Sequence, residues 1–203
     1  TSIIVSAAYM TVSKTFPSFW TSLRYSAFQN ISVMTTTGFT TADYETWPAF
    51  SQMILFFLFF IGGSAGSTAG GIKVVRIVAL FKLARYQLKK RVHPKGVFQI
   101  RIGETILSPD VINVIATFVG AYIFTGLVGA LILSSSGTDV FTSISASFLC
   151  LGNIGIGFAD VGPRDNFGFF PAFYKWVCSF LMLAGRLELF TVYALFTRTF
   201  WKR

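Results

Sequence analysis

Charged residues are scarce in this chain. Aspartate, glutamate, lysine and arginine make up 12% of its 203 residues, whereas a soluble globular domain carries about 25%. Hydrophobic residues make up 53% of the chain, and there are 24 phenylalanines. This balance argues against an ordinary water-soluble domain and indicates a protein that lies in lipid.

Cysteine is rare, and a leader sequence is not evident. The two cysteines, Cys150 and Cys178, lie in apolar stretches without the spacing of metal ligands, and they do not indicate a redox compartment. The first apolar stretch, residues 3–10, would form only about 12 Å of helix, which is too short to span a bilayer. We interpret the chain, which starts at Thr1, as part of a longer membrane protein that begins inside a transmembrane helix.

Acidic residues are also few, 8 against 17 basic ones, and the net charge of +9 is concentrated. Most of the lysines and arginines fall in a basic hairpin, residues 82–101, or at the C-terminus, residues 198–203. Basic residues just beyond apolar segments follow the positive-inside rule, which argues against nucleic-acid binding and predicts that both regions are cytoplasmic. The acidic loops are then expected outside, with Asp43, Glu45, Asp139, Asp160 and Asp165.

Three apolar segments are candidates for membrane spans. Residues 110–133 are the clearest, because they are almost all apolar and carry no charge after Asp110. For residues 170–197 the composition predicts one continuous helix. Residues 48–88 are interrupted by GGSAGSTAGG at positions 62–71, so that only about 18 Å of apolar helix precedes the glycines.

Two amphipathic stretches, residues 21–35 and 138–151, are long enough for a helix that enters half of the membrane and too short for a full span. Each starts with residues suited to a helix N-cap, namely Thr21 and Ser22 in one and Thr138 and Asp139 in the other. Each ends at a polar run that contains glycine, TTTG at 35–38 and GNIG at 152–155.

These stretches belong to an internal repeat. The pattern G-x-x-x-A-D occurs at residues 38–43 and 155–160, followed in both places by Pro-Ala-Phe and, 14 positions after the proline, by a glycine. We predict two tandem copies of span, half-helix, glycine loop and span. The N-terminal repeat, residues 1–101, has a truncated first span, and the C-terminal repeat covers residues 102–203.

A glycine loop at the end of a half-helix suits a cation filter. Irregular backbone at membrane depth is tolerated only where protein buries it or where it lines a water-filled path. The C-terminal end of the helix is partly negative, and extended carbonyls beyond it can replace the hydration shell of an alkali ion. Ordinary re-entrant turns or extracellular loops are the alternative. Two loops cannot form a fourfold ring, so two more must come from missing sequence or from a partner chain.

Over essentially its whole length, the chain resembles the C-terminal half of a TrkH-type subunit of the Trk/Ktr/HKT potassium transporter superfamily. The matching stretches are TTTGFTTADYETWP (35–48), FIGGSAGSTAGGIKVVR (60–76), VHP (92–94), GNIGIGF (152–158) and GRLELFTVYALFTRTFW (185–201). The resemblance implies an all-α integral membrane protein with four pore repeats, of which this chain holds the third and the fourth. It also implies filter carbonyls at Thr36, Thr37, Gly38, Asn153, Ile154 and Gly155, with potassium bound at Thr36, Thr37, Asn153 and Ile154.

The glycine-rich stretch, residues 62–71, has several interpretations. It is not a phosphate loop, because Ile72 separates its last glycine from Lys73. Its second half fits a helix-packing motif of small residues. Its first half matches the G-x-S-x-G pattern of serine hydrolases, although the only histidine, His93, lies far along the basic hairpin. The resemblance implies an intramembrane gate that consists of Gly62, Gly63, Gly66, Gly70, Gly71, Lys73 and Arg186.

Arg186 places a charge in the middle of a predicted span, which is costly unless the charge is paired or faces a cavity. Glu188 is two residues away and points to a different face of the same helix, so it is a poor partner. We therefore predict that carbonyls of residues 62–71 hold the guanidinium, with a snorkelling arginine as the alternative. The resemblance implies that Arg186 lies under the filter and raises the barrier to cations.

The sequence therefore predicts a protein that conducts potassium into the cell and not an enzyme, with potassium as the transported ion and no organic cofactor. The resemblance implies multi-pass insertion in the lipid bilayer of a bacterial or archaeal inner membrane, a homodimer, and a cytosolic nucleotide-binding regulatory subunit. Two alternatives are an intramembrane serine hydrolase built on Ser64 and a scaffold that binds a cytosolic partner through the basic hairpin.

Overall fold

The computed structural model describes residues 1–64, 66–93, 99–103 and 105–201. Helices dominate this part of the chain: α1 (Ser2–Val12), α2 (Phe19–Met34), α3 (Ala49–Leu58), α4 (Val74–Val92), α5 (Pro109–Ser134), α6 (Val140–Gly152), α7 (Ala172–Arg186), α8 (Leu189–Leu195) and α9 (Arg198–Trp201). Two short strand pairs connect them, β1 (Ile61–Gly62) parallel to β2 (Ile72–Lys73) and β3 (Arg101–Ile102) antiparallel to β4 (Thr105–Ile106). Part of the predicted basic hairpin (residues 94–98), the end of the predicted cytoplasmic C-terminus (residues 202–203) and Ala65 of the glycine-rich stretch lie outside the described residues.

The span predicted at residues 110–133 is confirmed as α5. Ser108 caps this helix, because its hydroxyl accepts a hydrogen bond from the backbone N–H of Val111 at 3.4 Å. By length and apolar composition, α5 is the one unbroken helix of the described ranges that can cross a membrane. The pair α7 and α8 meets the same criterion only when both helices are counted together.

Both predicted half-helices are present, as α2 and α6. Asp139 caps α6 as predicted, since its carboxylate accepts the backbone N–H of Phe141 at 3.0 Å. The N-cap predicted for α2 is wrong, because the helix begins two residues earlier, at Phe19. Ser18 is the last extended residue before it, and Ser22 lies inside the helix, where its hydroxyl donates to the Ser18 carbonyl at 3.3 Å.

The continuous helix predicted for residues 170–197 is also wrong. α7 ends at Arg186 and α8 begins at Leu189, with a bend of 112° between the two helices. Glu188 has φ +61°, a left-handed conformation that costs energy in a residue other than glycine. The break is stabilised because Arg186 and Glu188 both bond to residues of the N-terminal repeat. The composition of residues 170–197 shows only that the segment is long and apolar. It cannot indicate partners that lie far away in the sequence.

Close helix packing fixes the position of α6 between α5 and α7. A Cβ atom added at Gly126 of α5 would lie 2.2 Å from the ring of Phe148, and one added at Gly129 would lie 2.5 Å from the hydroxyl of Ser147. The Ser147 hydroxyl donates to the Gly126 carbonyl at 2.6 Å. Small residues of this kind pack helices together in lipid, where hydrophobic burial gives little driving force. The half-helix α6, which leads into GNIG, is therefore packed closely against α5.

Large apolar side chains cover much of the outer surface. Trp20, Phe124, Leu131 and Trp176 are each at least 67% exposed. A soluble monomer rarely exposes so much apolar surface. These faces are suited to contact with lipid or with further helices.

Candidate ion filter and gate

Both half-helices end in the same backbone turn. At the end of each half-helix, two successive N–H groups donate to carbonyls three and five residues back, in the pairs Thr36–Val33, Thr37–Ser32, Asn153–Cys150 and Ile154–Leu149. This is the Schellman arrangement, in which the residue after the cap is left-handed and is usually glycine. Here that residue is Thr36, with φ +54°, in one repeat and Asn153, with φ +52°, in the other.

A second left-handed residue follows two positions later in each loop. Gly38 has φ +77° and Gly155 has φ +95°, conformations that glycine adopts without steric cost. For Thr36 the left-handed conformation is unusual because threonine is β-branched. Its hydroxyl accepts a hydrogen bond from the backbone N–H of Gly70 at 3.2 Å, which helps to hold it. The same alternation in both repeats makes the two loops structurally equivalent, and strained residues of this kind cluster at functional sites.

The two loops touch each other. A Cβ atom added at Gly38 would lie 2.7 Å from the carbonyl oxygen of Ile154, and one added at Gly155 would lie 3.4 Å from the Cα atom of Gly38. The first distance is shorter than real Cβ contacts allow. Gly38 is therefore required both for its backbone angle and for the approach of the other repeat.

The carbonyls at positions 36–38 and 153–155 face no donor in the part of the chain that the structure describes. Within the described ranges, no N–H or hydroxyl group donates to any of these six oxygens. Nearby side chains bond to other carbonyls, Ser32 to Phe39 at 2.7 Å and Asn153 to Met182 at 3.1 Å. The loops are thus fastened while their own carbonyls stay available. Because a carbonyl in a dry site needs a partner, this arrangement suits a desolvated cation.

The glycine-rich loop, residues 62–71, contacts both candidate filter loops, residues 35–38 and 152–155, through Gly70. A Cβ atom added at Gly70 would lie 1.9 Å from the carbonyl oxygen of Gly152, at the end of α6. The Gly70 N–H bonds to Thr36 on the other filter loop, as described above. The short parallel pairing of β1 with β2 brings the two ends of the loop together.

The other predicted gate glycines differ in how much space surrounds them. A Cβ atom added at Gly62 would lie 2.2 Å from the Gly70 carbonyl oxygen, and one at Gly63 would lie 2.7 Å from the hydroxyl of Ser67. Gly71 is left-handed, with φ +71°. A Cβ atom added at Gly66 would meet nothing within 4 Å. The structure therefore makes Gly62 and Gly70 the sterically critical positions of the loop.

Two cationic side chains hold the loop through its carbonyls. The Nζ atom of Lys73 donates to the carbonyls of Ser67 and Ala69, at 2.5 and 2.7 Å. The Nη1 atom of Arg186 donates to the carbonyl of Thr68 at 2.6 Å. The prediction that a loop carbonyl binds Arg186 is confirmed. Three successive carbonyls are thus occupied by positive charge.

An ion pair between the repeats lies beside these contacts and was not predicted from the sequence. Arg76, in the first turn of α4, pairs with Glu188 at 3.3 Å, and its guanidinium lies 3.9 Å from the ring centre of Phe118. Together with Arg186 and the loop, these residues line a cavity of about 270 Å³. The separation of 112 residues between Arg76 and Glu188 explains why no local pattern indicated the pair.

Ser64 has no evident catalytic partner among the described residues. His93 follows α4, a helix of 19 residues that begins beyond the loop and is about 28 Å long. In the same part of the chain, no group of three histidine, cysteine, aspartate or glutamate side chains could hold a metal ion. The geometry gives no support to a serine hydrolase.

The matched half-helices that end in glycine loops, and the broken span that contacts both loops, are those of an all-α integral membrane protein. The chain belongs to the TrkH family of cation transport proteins, whose sequence model matches residues 9–202. This is a family of transporters and not of enzymes, so the hydrolase hypothesis is wrong.

Individual relatives agree with this family. The chain is 40% identical over 182 residues to the Trk system potassium uptake protein TrkH of Salmonella typhimurium strain LT2. The aligned region covers 90% of this chain and 37% of the relative. It is 38% identical over 199 residues to the protein of that name from Escherichia coli K12, covering 98% of this chain and 38% of the relative.

A solved structure is similar as well. The crystal structure of the potassium transporter TrkH from Vibrio parahaemolyticus superposes with a TM-score of 0.91 at 37% identity, over 98% of this chain and 42% of that protein. The chain therefore spans less than half the length of the relatives that it matches.

Proposed function

We propose that this chain forms part of a pathway for potassium uptake, with a filter lined by the carbonyls of residues 36–38 and 153–155. The observation that carries the proposal is the matched pair of loops, whose six carbonyls accept no hydrogen bond from the described residues. Backbone carbonyls of this kind can replace the hydration shell of a potassium ion. The choice of ion is supported by the relatives, which are named potassium uptake proteins.

Helix electrostatics favour the same site. α2 and α6 both end at the filter, and the C-terminal end of a helix carries partial negative charge. Neither loop carries a charged side chain at positions 35–38 or 152–155, so the ion is stabilised by dipoles and can still leave. The two loops supply half of a fourfold ring. The other half comes from further sequence or from a partner chain, in keeping with the greater length of the relatives.

The glycine-rich loop is the gate in this proposal. It lies against Gly152 and Thr36, at the helix ends that support the filter. With the loop in this position, the charges of Lys73 and Arg186 oppose the passage of a cation. Displacement of the loop requires the release of the carbonyls that these two side chains hold. Conduction therefore depends on a segment that is poised to move.

The membrane orientation and assembly follow from the charge pattern and the resemblance. The basic hairpin and the C-terminus face the cytoplasm by the positive-inside rule. We place the protein in a bacterial or archaeal inner membrane, as a homodimer that works with a cytosolic nucleotide-binding regulatory subunit. The basic hairpin offers a charged surface on the cytoplasmic side for such a subunit.

The filter is tested by the Gly38→Ala substitution, with Gly120→Ala in α5 as the control. An added Cβ would lie 2.7 Å from Ile154 at Gly38 and would meet nothing within 4 Å at Gly120. Overpacking of this kind costs about 1–3 kcal/mol, so we expect the ratio of potassium to sodium uptake in reconstituted vesicles to fall by about tenfold or more. The control should keep the wild-type ratio. An unchanged ratio in correctly inserted Gly38→Ala protein would overturn the filter assignment.

A further inference from the structure

A short turn just outside the N-terminal filter loop reaches across to the C-terminal one. Residues Tyr44–Thr46 form a single 3-10 turn, in which the carboxylate of Asp43 accepts the backbone N–H of Glu45 at 3.1 Å. The side-chain amide of Gln52 donates to the Glu45 carbonyl at 2.7 Å. The turn is therefore fixed from both sides, and its side chains are held in defined directions.

Two side chains of this turn bond to the backbone beyond the other filter loop. The hydroxyl of Tyr44 donates to the carbonyl of Gly157, and this contact is buried. A carboxylate oxygen of Glu45 accepts the N–H of Ala159 at 2.5 Å. Tyr44 is 1% exposed, and its ring packs on Phe158 with 5.1 Å between ring centres. The contacted residues follow the filter glycine, Gly155, by only two and four positions.

The segment that receives these bonds is itself rigid. The N–H of Phe158 donates to the hydroxyl of Ser145 on α6 at 2.7 Å, and the N–H of Gly157 donates to the carbonyl of Val161 at 2.9 Å. Ala159 is left-handed, with φ +56°, a conformation that persists only where its surroundings impose it. A displacement of Tyr44 or Glu45 is therefore transmitted to the filter loop and not absorbed by a flexible linker.

Gly162 provides the space that the Glu45 carboxylate occupies. A Cβ atom added at Gly162 would lie 2.9 Å from the carboxyl carbon and one oxygen of Glu45, and also 2.9 Å from the carbonyl oxygen of Ala159. The φ angle of Gly162 is −68°, which any residue adopts, so an alanine there would act by crowding Glu45 and its partner Ala159 and not through its own φ angle.

The C-terminal repeat does not reproduce this connection. With the offset that aligns the filter loops, Val161 stands at the position of Tyr44 and Gly162 at that of Glu45. Neither residue has a hydroxyl or a carboxylate. The C-terminal repeat therefore lacks the side chains with which to make the same bonds to another loop.

We propose that Tyr44 and Glu45 are positioning residues that set the spacing between the two filter loops, and through it the preference for potassium over sodium. This inference rests on the proposed function of the loops as a filter. Selectivity by backbone carbonyls depends on the number and placement of the oxygens around the ion. The two bonds fix the placement of one loop relative to the other at a point where Gly38 and Ile154 already touch.

The test compares four substitutions in vesicles reconstituted with the protein, by measuring potassium and sodium uptake separately. Tyr44→Phe removes one bond, Glu45→Ala removes the other, and Gly162→Ala displaces the carboxylate without changing it. We expect each to lower the ratio of potassium to sodium uptake, by about tenfold for the loss of one buried bond, while total cation flux is kept. Glu45→Gln keeps an acceptor oxygen and should stay close to the wild-type ratio.

Asp165→Ala is the matched control, because Asp165 is an exposed acid of the same outer region and its loss removes the same charge as Glu45→Ala. The control should keep the wild-type ratio, and a loss equal to that of Glu45→Ala would overturn the proposal in favour of a simple charge effect.

If Gly38→Ala abolishes selectivity while Tyr44→Phe and Gly162→Ala leave it unchanged, the filter stands and this inference fails. If Gly38→Ala is silent, the proposed function itself fails. Should Glu45→Ala not fold, Tyr44→Phe and Gly162→Ala decide the question.

Discussion

The two repeats break their second span at the same place, and they do so by different means. Gly62 and Gly185 both stand 14 residues after the proline that opens the span. In the N-terminal repeat the glycine-rich loop separates α3 from α4, whereas in the C-terminal repeat only Leu187 and Glu188 separate α7 from α8. The glycine-rich loop thus presents a run of carbonyls, of which Lys73 of the same repeat binds two and Arg186 of the C-terminal repeat binds one.

Both breaks also approach the last turn of α6 closely. A Cβ atom added at Gly70 would lie 1.9 Å from the Gly152 carbonyl oxygen, and one added at Gly185 would lie 1.9 Å from that of Leu151. The last turn of α6 is therefore packed against residues from both repeats. We propose that the features that regulate flow are those in which the repeats differ, and each difference can be removed separately.

The largest effect is expected from Gly70→Ala, which prevents the loop from seating against Gly152. We predict that basal potassium flux rises by about tenfold or more while ion preference is kept, because an overpacked contact costs about 1–3 kcal/mol. Isotope flux into vesicles measures this. Gly66→Ala in the same loop has open space around it and should behave as wild type. A changed ion preference with unchanged flux would contradict the gate assignment.

Arg186 is the next difference between the repeats, since Gly63 occupies the aligned position. Arg186→Ala removes both the charge and the hydrogen bond to Thr68. We predict an increase in basal cation leak of about tenfold, because a hydrogen bond to a charged group contributes about 1.5–3 kcal/mol. Arg186→Gln retains a donor without the charge and should give an intermediate leak. Equal flux in all three proteins would show that Arg186 does not lie on the ion path.

The sequence was sufficient for the local features of this fold. α5 and the two half-helices were predictable because apolar length and turn residues are properties of neighbouring positions. The matching turns at the ends of α2 and α6 were predictable because the same glycine-containing motif occurs in both repeats, while their role as a filter stays a prediction. The bend at Glu188 was missed because it depends on Arg76, far away in the chain. Tyr44 and Glu45 were missed because the repeat replaces them with Val161 and Gly162, so alignment of the two copies gave no signal.

A smaller effect is expected at the ion pair that accompanies the bend. Arg76 and Glu188 lie 3.3 Å apart, and the Glu188 side chain is 59% exposed. Partly exposed pairs contribute about 0–1 kcal/mol. A double-mutant cycle with Arg76→Gln and Glu188→Gln, followed by denaturant unfolding in detergent, should give a coupling free energy of about 0.2–1 kcal/mol. Strict additivity of the two substitutions would show that the pair does not couple the repeats.

The smallest effect concerns the pH dependence of Glu45, which has no counterpart in the C-terminal repeat. Burial raises the pKa of this carboxyl above its ordinary value of 4.5, opposed by the Ala159 N–H and reinforced by Asp43, Asp165 and Asp160. Because the pKa of Glu45 is higher in the folded state than in the unfolded state, its contribution to stability is fully present below the unfolded-state pKa. That contribution is lost as pH rises through the folded-state pKa.

Glu45→Gln mimics the protonated form at every pH. The melting temperature of the wild type relative to this variant should therefore fall as pH rises from about 4 through the range above the ordinary glutamate pKa. Thermal unfolding at several pH values measures the difference. A constant difference, or one that grows with pH, would contradict the raised pKa.

The position of the bound ion is the most direct test of the proposal that the two matched loops form one filter. Crystals of the protein grown in rubidium, which replaces potassium and scatters anomalously, should show an anomalous peak within coordination distance of the carbonyls of residues 36–38 and 153–155. Both repeats should contribute oxygens to the same ion. A rubidium peak away from these loops, or bound by one of them alone, would contradict a filter built from equivalent loops of the two repeats.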